Sequence, residues 1–138
     1  MDMNEMKQLK ELERRLAKWK SYKMVSFSEF SSNLEKQDSI IHNMLVAIQA
    51  AIDLGNSLIE KRGLEPPSTY AEIFSILGDG KLISKSLSRE MQKLARFRDV
   101  LVHFYWNIRL RKVYHVLKTK DVVLERFYKV VKRLLVRG

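Results

Sequence analysis

Apolar residues along this chain return every three or four positions, seldom every second one, so the hydrophobic pattern predicts helices almost throughout. Met6, Leu9, Leu12, Leu16 and Trp19 make one stripe between charged residues and predict an amphipathic N-terminal helix over about 4–22. From about 33 to 62, Ile41, Met44, Leu45, Ile48, Ile52, Leu58 and Ile59 keep the same spacing and predict a central core helix. Ala47, Ala51 and Gly55 give that helix a thin flank, and Gly55 marks a close backbone approach of a neighbour. A short helix follows from Thr69 to Leu77, closed by Gly78-Asp79-Gly80. Leu87, Met91, Leu94, Ala95, Leu101 and Val102 line a helix over about 85–105. Val113, Leu117, Leu124, Phe127, Val131 and Leu134 then stripe a basic helical region over about 108–136, with a bend near Thr119 to Asp121.

Local chemistry marks the ends of these elements. Ser26-Phe27-Ser28-Glu29, Ser32-Asn33-Leu34-Glu35 and Thr69-Tyr70-Ala71-Glu72 each match a capping box, in which a hydroxyl caps early amides and a Glu three residues on reaches back. Ser84 or Ser86 can cap the helix after Gly80, and Asn107 the last helical region. Gly63 suits a helix C-terminus, and Pro66-Pro67 enforces an extended connection after it. The expectation is an all-α single domain spanning residues 1–138, a bundle of about five helices.

Composition narrows the environment. The chain has no cysteine, which excludes a disulfide framework and a thiolate metal site. The longest apolar run, near Met44 to Ile48, is far too short to cross a bilayer, and the expected location is cytoplasmic with no membrane partner. The charge is lopsided. Residues 1–79 carry 10 Lys or Arg against 12 Asp or Glu, net −2, while residues 80–138 carry 16 against 4, net +12. A field of that sign and size recruits polyanions, with RNA or DNA first among them.

The basic half also holds the densest chemistry, Arg96-Phe97-Arg98-Asp99-Val100-Leu101-Val102-His103-Phe104-Tyr105. A permanent guanidinium, an imidazole that titrates near neutrality and a phenol suit phosphodiester chemistry without a metal ion. At roughly 100° per residue, an uninterrupted helix would put Arg98 and Tyr105 on one face and His103 about 140° away from Arg98. The Arg stem can reach round, the helix can end near His103, or a second copy packed about a two-fold axis can bring the missing partner. A dimer with a shared cleft is the expectation. Trp19 and Tyr22 read as core, His42 as a surface histidine without a second ligand at metal spacing, and His115 as a residue without a role.

These blocks resemble the HEPN superfamily, and within it the HepT-like toxins that pair with minimal nucleotidyltransferases. Arg98, four spacer residues, His103, then Phe104 and Tyr105 match the Arg, spacer, His, any residue, Tyr signature. Ala50-Ala51-Ile52-Asp53-Leu54-Gly55-Asn56, Arg62-Gly63-Leu64, Tyr70-Ala71-Glu72-Ile73-Phe74 and Phe97 to His103 follow in the family's order, over roughly residues 27–135. One position departs: Asp99 follows Arg98 where the family often has Asn, and an ionised carboxylate accepts hydrogen bonds but also repels a phosphate.

The resemblance implies a helical bundle that forms a symmetric homodimer and, as the toxin of a toxin–antitoxin pair, cleaves RNA as a metal-independent endoribonuclease needing no cofactor. Arg98 and His103 would be the catalytic pair, with Asp99 beside them. Tyr105 would be the tyrosine that the cognate minimal nucleotidyltransferase antitoxin modifies with AMP. Two other readings stay open at this stage. One is a non-catalytic basic helical module that binds nucleic acid or nucleotide and partners a nucleotidyltransferase. The other is a dimerisation partner whose basic face matches an acidic protein.

Overall fold

The computed structural model describes residues 1–137 and is helical throughout, with no strand among the described residues. Seven α-helices are present there, α1 (Met3–Tyr22), α2 (Phe27–Ser32), α3 (Leu34–Lys61), α4 (Tyr70–Asp79), α5 (Lys85–His103), α6 (Leu110–Thr119) and α7 (Asp121–Arg137). The count exceeds the expected five because the turn at 26–32 forms a helix of its own and the basic C-terminal region splits at Lys120 into α6 and α7. That split lies at the bend the sequence marked.

α3 is the axis of the bundle, 28 residues and therefore roughly 42 Å long. α1, α4, α5 and α7 pack around it, α4 also against α5 and α7 against α1. Trp19, Phe30, Phe74 and Phe127 are the largest fully buried side chains, each from a different helix. Gly55 explains how closely α4 approaches α3: a Cβ there would lie 2.8 Å from Ile73 Cγ2. At the far end of α3, Gly63 has φ +64°, so Gly63 N–H reaches the Glu60 carbonyl and Leu64 N–H the Ile59 carbonyl at 2.9 Å. These two bonds satisfy carbonyls that the helix itself leaves unpaired.

Several local readings need correction. Asn33, not Ser32, caps α3, its side chain accepting from Lys36 N–H at 3.0 Å. Asn107 does not cap the last region; it sits in a 3-10 turn, Tyr105–Asn107, and α6 starts after Arg109 with no side-chain cap. α4 runs on through Gly78 to Asp79. Met6 is exposed while Glu5 is buried, because Glu5 Oε1 accepts from Asp2 N–H at 2.9 Å and pairs with Lys61 Nζ at 3.1 Å. Val102 faces solvent and Phe97 replaces it on the buried stripe of α5; Leu135 likewise takes the place expected of Leu134. Trp19 and the capping roles of Ser26, Thr69 and Ser84 stand as read.

Candidate active site

The motif rides on the last two turns of α5. Ser84 Oγ starts that helix by accepting from Leu87 N–H at 3.1 Å, and Leu87, Met91, Leu94 and Leu101 bury its inner face. Ser88 Oγ donates to the Phe74 carbonyl at 2.7 Å and locks α5 against α4. The helix is therefore anchored along its inner face, through Leu101 near its end, and carries its polar groups on that support. The helix stops at His103, where Phe104 leaves helical geometry (φ −128°, ψ 32°) and a single 3-10 turn takes the chain away.

Arg98, Asp99 and His103 line one open cleft of about 670 Å³. α3 contributes Asp53 and Asn56 to it, and the start of α4 contributes its capping residue Thr69 and its first residue Tyr70. The Arg98 guanidinium lies over the Tyr70 ring, 5.0 Å from its centroid, and its Nη1 donates to Asp99 Oδ1 at 3.2 Å. Its side chain is largely buried, so cation, ring and carboxylate fix its direction together. Asp99 thus turns towards Arg98; no hydrogen bond joins it to the exposed His103 ring among the described residues. The cleft offers a fixed cation, an exposed imidazole, and neutral donors on Asn56 and Thr69. A set of this kind has the chemistry to hold a phosphate and to move a proton beside it.

The helical projection is corrected by this geometry. Arg98 and His103 share the cleft, and Tyr105 lies outside its lining. The reason is the early end of α5: Tyr105 opens the 3-10 turn, and its hydroxyl donates instead to Asp38 Oδ1, near the start of α3, at 2.5 Å. The Asp38 carboxylate, as the acceptor of that bond, together with partial burial, raises the Tyr105 phenol above its ordinary range. Tyr70, Asn56 and Asp38 were given no role from sequence. Tyr70 and Asn56 do belong to the blocks that carried the resemblance, which was the available signal; nothing in the sequence pointed to Asp38. His42 and His115 are both exposed and apart from the cleft.

Around the motif, Val100, Val102, Phe104 and Trp106 are exposed, Trp106 at 80%. A neighbouring groove of about 580 Å³ between α5 and α6 has a mostly apolar lining that includes Leu94, Phe97, Val100 and Phe104, with Lys93, Arg96, Arg109, Lys112 and Lys120 against Glu90 among its lining residues. Among the described residues no helix is long and apolar enough to cross a membrane.

A family described as ribonuclease HepT-like matches residues 12–131. The mRNA nuclease HepT of Shewanella oneidensis is 30% identical over 105 residues, 76% of this chain and 79% of that protein. A putative RNase of Bacillus subtilis, YutE, is 28% identical over 88 residues, 64% of this chain and 61% of that protein. Among solved structures, a tri-AMPylated Shewanella oneidensis HEPN toxin in complex with an MNT antitoxin superposes with a TM-score of 0.86 at 26% identity, covering 96% of this chain and 99% of that one.

Proposed function

The chain belongs to the HepT-like ribonuclease family, and from that premise we propose that it is a toxin that cleaves RNA without a metal ion, in a cleft completed by a second copy of itself. The observation that carries this reading is the convergence of Arg98, Asp99 and His103 with Tyr70 and Asn56 in one solvent-open cleft. Val100, Val102, Phe104 and Trp106, on the same segment, are exposed apolar residues that a two-fold partner could cover. The net +12 of residues 80–138 draws RNA to the same side of the sequence.

In this mechanism a ribose 2′-hydroxyl attacks its own phosphate. His103 takes the 2′ proton, the His103 of the second copy protonates the departing 5′-oxygen, and Arg98 stabilises the charge on the phosphorane. Proton transfer of this kind contributes about 10²- to 10⁴-fold, and a fixed cation at the developing charge adds to it. The products carry a 2′,3′-cyclic phosphate and a 5′-hydroxyl. Purified protein should cleave RNA in the presence of EDTA, and His103→Ala and Arg98→Ala should not. Equal rates for wild type and His103→Ala would overturn the reading, and loss of activity in EDTA would reassign the chemistry to a metal.

Inhibition follows from charge. The related Shewanella oneidensis toxin is tri-AMPylated and bound to an MNT antitoxin; by that likeness, Tyr105 here receives AMP from a minimal nucleotidyltransferase. The adduct would begin two residues beyond His103 and add phosphate charge to the segment that follows the motif, where it repels an RNA backbone. Tyr105→Phe should keep cleavage and escape modification; a Tyr105→Phe protein that is unmodified yet still silenced would show inhibition by binding alone. One observation favours a non-catalytic nucleic-acid module instead: Asp99 already pairs with Arg98 and offsets its charge. Turnover separates the two, since such a module binds RNA and leaves it intact.

A further inference from the structure

The chain has five tyrosines, and their surroundings differ sharply. The Tyr114 hydroxyl donates to the Val25 carbonyl, Tyr70 supports Arg98, and Tyr22 packs partly buried against the core. Tyr128 bonds to Glu13 but is more enclosed, and burial with that carboxylate pushes its phenol to about 12. Tyr105 alone joins a carboxylate partner to a hydroxyl on an exposed turn; it is 44% exposed.

We propose that Asp38 is the general base for nucleotidylation of Tyr105, so that the modified chain supplies part of the machinery for its own silencing. The inference rests on the reading of Tyr105 given above. The Tyr105 hydroxyl already donates to Asp38 Oδ1 across 2.5 Å, and the residue is exposed, so the oxygen keeps lone pairs for attack. As that oxygen attacks the α-phosphorus of a nucleoside triphosphate held by the transferase, the O–P bond forms, the bond to the pyrophosphate oxygen breaks, the proton passes to Asp38, and pyrophosphate leaves. A neutral phenol is a weak nucleophile near pH 7, where a free Tyr with its ordinary value near 10 is about 0.1% ionised. An acceptor already in place removes the need for prior ionisation. Asp38 is the charge that acts on this phenol from α3; His103 lies two residues back on the phenol's own segment. The two residues sit 67 positions apart in sequence, so the pairing is made by the fold.

The test uses the full chain, the MNT antitoxin of the Shewanella oneidensis relative as the transferase, and MgATP, with AMP incorporation at Tyr105 followed by mass spectrometry. Asp38→Asn should slow modification about 10²-fold or more, and its rate should climb with pH towards the phenol's ordinary range while the wild-type rate stays nearly flat. Asp38→Glu should recover part of the rate. Glu13→Ala, which breaks the corresponding bond to Tyr128, should change nothing at Tyr105. RNA cleavage by Asp38→Asn should match wild type. Modification of Asp38→Asn at the wild-type rate and pH profile would overturn the role of Asp38 and leave Tyr105 as the acceptor. A wild-type chain modified elsewhere, or not at all, would overturn both.

Discussion

Trp19 joins the first helix to the basic C-terminal half, and replacing it with Phe tests how much that joint holds. The indole is fully buried and its Nε1–H donates to the Leu117 carbonyl at 2.8 Å. Leu117 is in the last turn of α6, where carbonyls have no partner within the helix, so the indole satisfies an oxygen that water cannot reach. Trp19→Phe strands that oxygen, at a cost of about 1–3 kcal/mol. The smaller ring leaves a void, adding about 1 kcal/mol, comparable to a lost methylene or two. The sum, about 2–4 kcal/mol, is a large share of a small domain's stability. For a domain of this size it should lower Tm by roughly 8–15 °C. Thermal and urea unfolding followed by far-UV circular dichroism measures both quantities. Trp106→Phe, compared at protein concentrations low enough to keep the chain monomeric, is the matched control, since Trp106 is 80% exposed and should shift stability by no more than about 0.5 kcal/mol. A Trp19→Phe protein as stable as Trp106→Phe would refute the claim that this bond and its packing hold α1 to α6.

Other outcomes follow from single contacts. Tyr70→Leu removes the ring beneath Arg98 and should lower kcat/KM for RNA cleavage by roughly 2- to 30-fold, the equivalent of a cation–π contact of about 0.5–2 kcal/mol; an unchanged kcat/KM would mean that Asp99 alone orients the guanidinium. Gly63→Ala forces an L side chain into φ +64° and should destabilise by about 1 kcal/mol, read as a lower urea midpoint at unchanged slope. The phenol of Tyr128, raised to about 12, contributes stability that is fully present below about pH 10, the unfolded value, and is lost as the pH climbs towards 12. Tyr128→Phe should therefore flatten the alkaline limb of a stability-versus-pH curve, and an unaltered limb would place the sensitivity elsewhere.

The sequence made the helices legible because their stripes are long and regular, and it marked three hydroxyl caps and the Gly63 terminus by residue chemistry alone. Periodicity failed where a local polar partner overrode it. Glu5 reads as a surface acid, yet Asp2 and Lys61 pair it inside. At the site, the Arg98 to His103 spacing was readable but the place of Tyr105 was not, because projecting residues round one helix assumes that the helix continues. α5 stops at His103 and sends Tyr105 to Asp38, while Arg98 and His103, both inside α5, reach one wide cleft. Tyr70 and Asp38 reach the motif from distant parts of the chain, and only tertiary packing creates those contacts.

The two tryptophans occupy opposite extremes, Trp19 sealed in the core and Trp106 standing open just past the motif helix. The protein consequently has a built-in optical probe. With Trp19 silent to solvent, the water-sensitive part of the emission comes from Trp106, and a blue shift on raising the concentration or adding RNA would report that something has covered the surface beside His103.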